Sequence, residues 1–235
     1  MPGWMKKTYD AVGVTEWPPG PELDRLVKKF AQGGAVYLLI DVSGSMGERN
    51  LESARQGGIK FIHEAVGGGY EVGVILWHHK VEGSVELSKD PTRAIQLLKS
   101  AEAGGGTRIT PAIELARDGL LEWLGHYSGG DAVIAVFGDG DLGVPRSTAT
   151  SLARQLHAEG IRVLTLGLGE ESAGELSAIS TAPFEDDAEE VRTNNSTQGV
   201  SHTAPKSTKN VTSSESLEND LASMARGIVF RSKRH

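Results

Sequence analysis

Apolar residues run without a break from Ala35 to Ile40 and from Ala132 to Phe137, and largely apolar stretches, interrupted by Gly73 and by Arg162 and Thr165, cover Val72 to Trp77 and Ile161 to Leu166. Short continuous runs of this kind predict strands covered on both faces, as in a parallel sheet. Between them the period changes. Leu51, Ala54, Phe61, Ile62 and Ala65 form a helical stripe. Its interior Gly57-Gly58 costs about 1 kcal/mol per glycine relative to alanine, which close packing on the sheet can offset. Val81, Val85 and Leu87 mark an antiparallel edge partner for the second strand, and Pro91 opens a short helix carrying Ala94, Ile95 and Leu98. Ile113, Ala116, Leu120, Trp123 and Leu124 predict a further helix, with Thr110, just before Pro111, as its N-cap. A helix over 148–158 stops at Gly160. Strands alternating with helices predict an α/β fold with a mostly parallel sheet.

The pattern also divides the chain. Residues 1–34 form an N-terminal extension, with a Pro18-Pro19-Gly20-Pro21 loop and a short helical pattern at Leu23, Leu26, Val27 and Phe30. The α/β core follows over 35–184. Residues 185–216 are rich in Asp, Glu, Asn, Ser and Thr, bury little apolar surface, and are expected to form a disordered insertion. Leu217, Leu221, Met224, Ala225 and Ile228 then predict a helix over 217–230 that returns to the core, before a basic tail, 231–235. There is no internal repeat.

Composition narrows the function classes. A chain of 235 residues can bury one sizeable core, and with no cysteine it has no disulfide, thiolate metal site or thiol nucleophile. The net charge of -7 offers no basic footprint for nucleic acid. No segment approaches the roughly 20 apolar residues of a membrane helix, and no stretch has the pattern of a secretion signal. The expectation is a soluble cytoplasmic protein without nucleic-acid or membrane partners. Asn195-Ser196-Thr197 and Asn210-Val211-Thr212 match the glycosylation pattern but are read as chance matches in polar sequence.

The chemistry concentrates where the first strand ends, at Asp41-Val42-Ser43-Gly44-Ser45. One carboxylate followed by hydroxyls two and four residues on supplies only hard oxygen donors, suited to Mg²⁺, Mn²⁺ or Ca²⁺ rather than zinc. Ligands of parallel α/β sheets bind beyond the carboxyl ends of the strands, and two more loops belong there. Thr107 follows the Gly104-Gly105-Gly106 run, and Asp139 follows the strand ending at Phe137. Together these residues offer two carboxylates and three hydroxyls, which can balance a dication while leaving a coordination position open.

In this ordered set the sequence resembles a von Willebrand factor type A domain with a metal-ion-dependent adhesion site, of the intracellular bacterial type. Asp41-x-Ser43-x-Ser45 matches the family's first motif, Gly105-Gly106-Thr107 its threonine loop and Asp139-Gly140 its second aspartate, over roughly Gly34 to Leu168. The resemblance implies a Rossmann-like three-layer sandwich with helices on both faces of the sheet and one antiparallel edge strand. It also implies that Ser43, Ser45 and Thr107 contact Mg²⁺ directly while Asp41 and Asp139 act through water. A partner protein would donate a Glu or Asp as the last ligand. Bacterial relatives often work beside AAA+ ATPases or in stress and defence assemblies, which the resemblance implies as partners. The chain departs from the pattern at Gly138, where the family often has threonine, and Asp141 adds a carboxylate assigned to the outer shell.

Other chemistries fit less well. His78-His79 comes after the second strand, and since adjacent strand residues point to opposite faces, the pair is read as surface or strand-end histidines rather than joint ligands. Gly167-Leu168-Gly169 lacks the third glycine of a dinucleotide loop, and no Gly-x-x-x-x-Gly-Lys-Ser/Thr phosphate loop occurs. Trp77 and Trp123 are read as core, while Trp4 and Trp17 pack or contact a partner. A Mg²⁺-dependent phosphatase or phosphotransferase with Asp41 as nucleophile is the alternative function, but the place of its usual general acid is taken by Ser43. A domain that keeps the motif without binding metal is the third reading. The leading expectation is therefore not an enzyme but a metal-dependent interaction module.

Overall fold

The computed structural model describes residues 33–127, 129–182, 211–213 and 216–232. The expected N-terminal extension with Trp4 and Trp17, and the polar stretch through residue 210, lie outside the described residues. The elements in chain order are β1 (Gly34–Asp41), a one-turn 3₁₀ helix (Gly44–Met46), α1 (Gly47–Gly67), β2 (Glu71–Trp77) and β3 (Val81–Ser88). These are followed by α2 (Thr92–Lys99), α3 (Thr110–His126), β4 (Asp131–Gly138) and α4 (Arg146–Ala158). The chain continues through β5 (Ile161–Leu168), α5 (Gly169–Leu176), a 3₁₀ turn (Ser177–Ile179), β6 (Val211–Thr212) and α6 (Leu217–Ser232).

The strands form one sheet in the order β3-β2-β1-β4-β5-β6, parallel throughout except for the antiparallel edge pair β2/β3. The continuous apolar runs are explained by the period of two. In β1, Val36, Leu38 and Ile40 enter the core under α1, α2 and α6, while Ala35, Tyr37 and Leu39 enter a second core under α3 and α4. β4 divides in the same way, with Val133, Ala135 and Phe137 on one side and Ala132, Ile134 and Val136 on the other. The result is a Rossmann-like three-layer sandwich. After β1 the chain builds β2 and β3 on one side, then crosses over β1 to build β4, β5 and β6 on the other. The strand order reverses between β1 and β4, where open α/β sheets bind ligands.

The glycine pair in α1 packs on the sheet, as expected, and on two helices besides. A Cβ on Gly57 would stand 2.7 Å from Leu221 and 3.1 Å from the Glu218 backbone of α6, whereas one on Gly58 would meet Leu98 of α2 at 2.9 Å and Leu38 at 3.5 Å. The pair admits two helices as well as the sheet.

Four expectations are corrected. Thr110 is the first residue of α3 and not its cap; Ile109 holds the N-cap position and no side chain caps the helix. The polar stretch expected to be disordered through residue 216 ends earlier, since Val211 and Thr212 pair in parallel with Gly167 and Leu168. Ser213 and Ser216 then exchange hydrogen bonds ahead of α6. The basic tail begins later than residue 231, because α6 includes Arg231 and Ser232. His78 and His79 lie past β2, in the turn to β3, where strand alternation no longer applies. Their rings stack with centroids 4.3 Å apart.

Candidate functional site

The β1 end is built from a tight turn. Val42 donates to Trp77 O at 2.8 Å, prolonging the β1/β2 ladder by one residue, and the Ser43 amide then turns back onto Asp41 Oδ1 at 2.8 Å. This aspartate turn directs the Ser43 hydroxyl toward that of Ser45, 3.0 Å away. Met46, 1% exposed, anchors the 3₁₀ turn, and Gly47 at φ 62° redirects the chain into α1. Asp41 is fully buried and Ser43 is 1% exposed, whereas Ser45 faces solvent.

Two further loops are tied to this turn. The Gly104 amide donates to Val42 O at 2.8 Å and the Gly44 amide to Gly105 O at 3.3 Å, which brings the threonine loop alongside the serines. Arg108 donates to His78 O at 2.8 Å and Ile109 to Leu142 O at 3.0 Å, fixing the chain that follows the half-buried Thr107. Arg55 holds the approach to this loop, donating to Ala101 O from one guanidinium nitrogen and to Glu48 and Glu52 from another at 2.8 and 2.7 Å. The third loop touches the second at Gly143. Its φ is 62°, and a Cβ there would fall 2.0 Å from Thr107 O.

Asp139 is half-buried after β4, its carbonyl accepting from the Ser172 hydroxyl. Gly138 packs directly on the Asp41 carboxyl, where a Cβ would lie 3.1 Å from Oδ2 and 3.2 Å from the aspartate Cβ. The glycine at the position where threonine was expected thus has a local steric reason. Asp141 is exposed and accepts from the Gly143 amide at 2.7 Å, closing its own turn.

The Asp41 carboxyl carries an electrostatic cost. Burial raises its pKa from 3.8 to about 7; the Ser43 amide and hydroxyl oppose the shift, and the negative charge of Asp139 adds to it. The Asp139 amide also faces this carboxyl and pulls downward, yet Oδ2 is left buried without a hydrogen-bond partner. A buried carboxylate oxygen with no donor lacks something that a cation would supply. The donor set fits such a cation. Carboxylates and hydroxyls are hard ligands, and Asp41, Asp139, Ser43, Ser45 and Thr107 supply only these.

The five residues singled out in the sequence therefore fall on three loops joined by hydrogen bonds and close packing at the β1/β4 reversal. Missed there were the supports: Ser172 under Asp139, Gly143 against Thr107, and Arg55 on Ala101. Each acts across a long stretch of chain and leaves no local pattern. The stacked histidines adjoin the glycine loop, since a Cβ on Gly105 would stand 2.8 Å from His79 Nδ1.

Residues 36–141, which include all five, match the family model of the von Willebrand factor type A domain. Among curated proteins, no relative matches the chain. The pilus adhesin SpaC from Lactobacillus rhamnosus GG shares the fold at a TM-score of 0.62 and 15% identity, over 85% of this chain and 30% of the adhesin. Proximal thread matrix protein 1 from the mussel byssus aligns at a TM-score of 0.57 and 18% identity, over 84% of this chain and 48% of that protein. The vWF domain of the type V pili tip protein Mfa5 from Porphyromonas gingivalis aligns at 0.54 and 13%, over 72% of this chain and 98% of the domain. The chain thus spans less than half of the first two proteins and nearly all of the isolated domain. At these identities the likeness establishes the fold, a von Willebrand factor A-type α/β sandwich.

Proposed function

We propose that this chain is a metal-dependent protein interaction module, in which Asp41, Ser43, Ser45, Thr107 and Asp139 hold a divalent cation that engages a Glu or Asp of a partner protein. The observation that carries the reading is the fully buried Asp41 carboxyl whose Oδ2 has no hydrogen-bond partner. Mg²⁺ fits the hard oxygen set best, with Mn²⁺ and Ca²⁺ as alternatives. The bound cation would supply an electrophilic, incompletely coordinated centre for the partner's carboxylate.

The chain's own residues do the rest. Asp41 and Asp139 balance the charge, Ser43 and Ser45 present adjacent hydroxyls, and the surrounding loops select partners by shape. Asp141 and Arg146 flank Asp139 in a cavity of about 390 Å³ and would meet partner residues next to the liganding acid. A family model for a type A domain and neighbours that include a pilus adhesin support an interaction role over catalysis.

Calorimetric titration with Mg²⁺ and Mn²⁺ tests the site, with binding expected for the wild type and lost in Asp41→Ala. A pull-down in Mg²⁺ against EDTA tests the function. Partner capture that survives both EDTA and a folded Asp41→Ala variant sinks the proposal. Metal-dependent phosphate release that disappears in Asp41→Asn would replace binding with hydrolysis.

A further inference from the structure

The chain contains the dipeptide Asp-Gly twice, at Asp118-Gly119 inside α3 and at Asp139-Gly140 just past β4. In this dipeptide the glycine nitrogen can reach the aspartate Cγ and close a five-membered ring, with no side chain on the glycine to obstruct it. The two copies share one chemistry and differ in the structure around them.

At Asp118 the fold withholds what ring closure needs. The Gly119 amide lies in the interior of α3, where amides are committed to the helical ladder, and the Asp118 carboxylate pairs with Arg117 at 3.4 Å. A Cβ on Gly119 would stand 2.6 Å from the Tyr37 hydroxyl, so the helix backbone is packed tightly there. At Asp139 these restraints are missing. Neither the Asp139 carboxylate nor the Gly140 amide has a hydrogen-bond partner among the described residues. Both residues line a cavity of about 390 Å³, large enough to hold water. Exposure alone would favour the other copy, since Asp118 is exposed and Asp139 half-buried. The state of the backbone reverses that order.

Ser172 of α5 assists chemically. Its hydroxyl donates to the Asp139 main-chain carbonyl, which belongs to the same peptide group as the Gly140 nitrogen. A hydrogen bond at that oxygen draws charge from the nitrogen and makes its proton easier to lose.

We propose that Asp139 converts spontaneously to isoaspartate through a succinimide closed by the Gly140 nitrogen, and that this conversion dismantles the loop that carries it. The nitrogen forms a bond to Asp139 Cγ, while the amide proton, one carboxyl oxygen and a proton from solvent leave as water. Water then opens the ring. Opening at Cγ restores aspartate, whereas opening at the main-chain carbon, the one Ser172 polarises, leaves the chain running through the side chain. Isoaspartate carries its carboxylate directly on Cα and lengthens the backbone by one atom. The loop has no slack for it: a Cβ on Gly138 would lie 3.1 Å from Asp41 Oδ2, and one on Gly140 would lie 2.6 Å from Ser172 Cα. A cation held through Asp139 would engage the free carboxylate and slow ring closure, so that the idle site ages and the occupied one does not; this last step alone rests on the metal-binding role proposed above.

The test is incubation of the full chain at 37 °C in EDTA, with isoaspartate counted by enzymatic methylation. Electron-transfer fragmentation of the tryptic peptide 118–146, which holds both Asp-Gly pairs, locates it. Asp139 should convert at least tenfold faster than Asp118 in the folded chain, and the two should convert alike in guanidinium chloride. Ser172→Ala should slow conversion severalfold, and Asp139→Glu, which would need a six-membered ring, should abolish it at that position. Mg²⁺ should slow conversion at least fivefold, and converted chains should no longer bind Mg²⁺ by calorimetry. Folded Asp139 that converts no faster than Asp118 overturns the proposal, and an undiminished rate in Ser172→Ala overturns the part given to Ser172. Conversion in EDTA by a chain that calorimetry shows not to bind Mg²⁺ supports the modification and overturns the metal-binding role. Mg²⁺ binding with no conversion in EDTA does the reverse.

Discussion

At the scale of the residue, Asp41 carries a conflict between burial and charge that pH and metal should resolve in opposite ways. Its pKa in the fold, about 7, lies above the ordinary 3.8. The folded state therefore keeps the proton longer than the unfolded state does. The stability associated with the neutral carboxyl is present below about pH 4 and is lost as pH rises toward 7, a change on the order of 4 kcal/mol. In EDTA, wild-type stability relative to Asp41→Asn should fall between pH 5 and pH 8, since asparagine keeps the shape without titrating. Mg²⁺ should restore stability to the wild type at pH 8, do much less at pH 5, and leave the variant unaffected. Urea unfolding at the two pH values, with and without Mg²⁺, reads all of this. A wild-type minus variant difference independent of pH would show that Asp41 carries no such burden.

At the scale of elements, the site depends on loops holding one another. Gly143 is the sharpest point of contact, because alanine there would bring a Cβ to 2.0 Å from a backbone oxygen at φ 62°, and neither atom is the mobile end of a side chain. Gly143→Ala should separate the Asp139 loop from the Thr107 loop and weaken Mg²⁺ binding at least tenfold by calorimetry, while the sheet stays intact by circular dichroism. Away from these loops, Leu221 of α6 is fully buried against Gly57 of α1. Leu221→Ala should cost about 2–5 kcal/mol in urea unfolding, with the higher end if α1 and α6 cannot close the gap.

These two cases also mark what the sequence could disclose. β1 and β4 were legible because their apolar runs are unbroken, and the order of Asp41, Ser43, Ser45, Thr107 and Asp139 was legible because strand ends collect ligands. Gly143 against Thr107 was not, since contact between distant loops writes no period. β6 has two residues and a polar neighbourhood, too little for any pattern. α5 begins Gly169-Glu170-Glu171 and draws its order from Leu176 in the core, not from propensity. The histidine pair was placed correctly after β2, but the alternation that was to part the two rings holds only within a strand, and in the turn they stack.

At the scale of the whole molecule, a cation at the β1/β4 reversal would act as a ligand of the folded state alone, because its donors come from three loops that only the fold assembles. Mg²⁺ at a hundredfold excess over its dissociation constant should therefore stabilise the chain by about 2.7 kcal/mol. For a domain of this size, that corresponds to a rise in midpoint of roughly 5–11 °C. The fold itself should not require the metal, since the two cores on either side of the sheet are closed by apolar residues that lie outside the site. EDTA should accordingly lower the midpoint without changing the far-ultraviolet spectrum, and Mg²⁺ should restore it. A chain that unfolds in EDTA at 25 °C would make the metal structural. One that shows no midpoint change with Mg²⁺ at pH 8 would leave the buried Asp41 oxygen unexplained by any cation, and the interaction surface would then have to be sought elsewhere on the sheet.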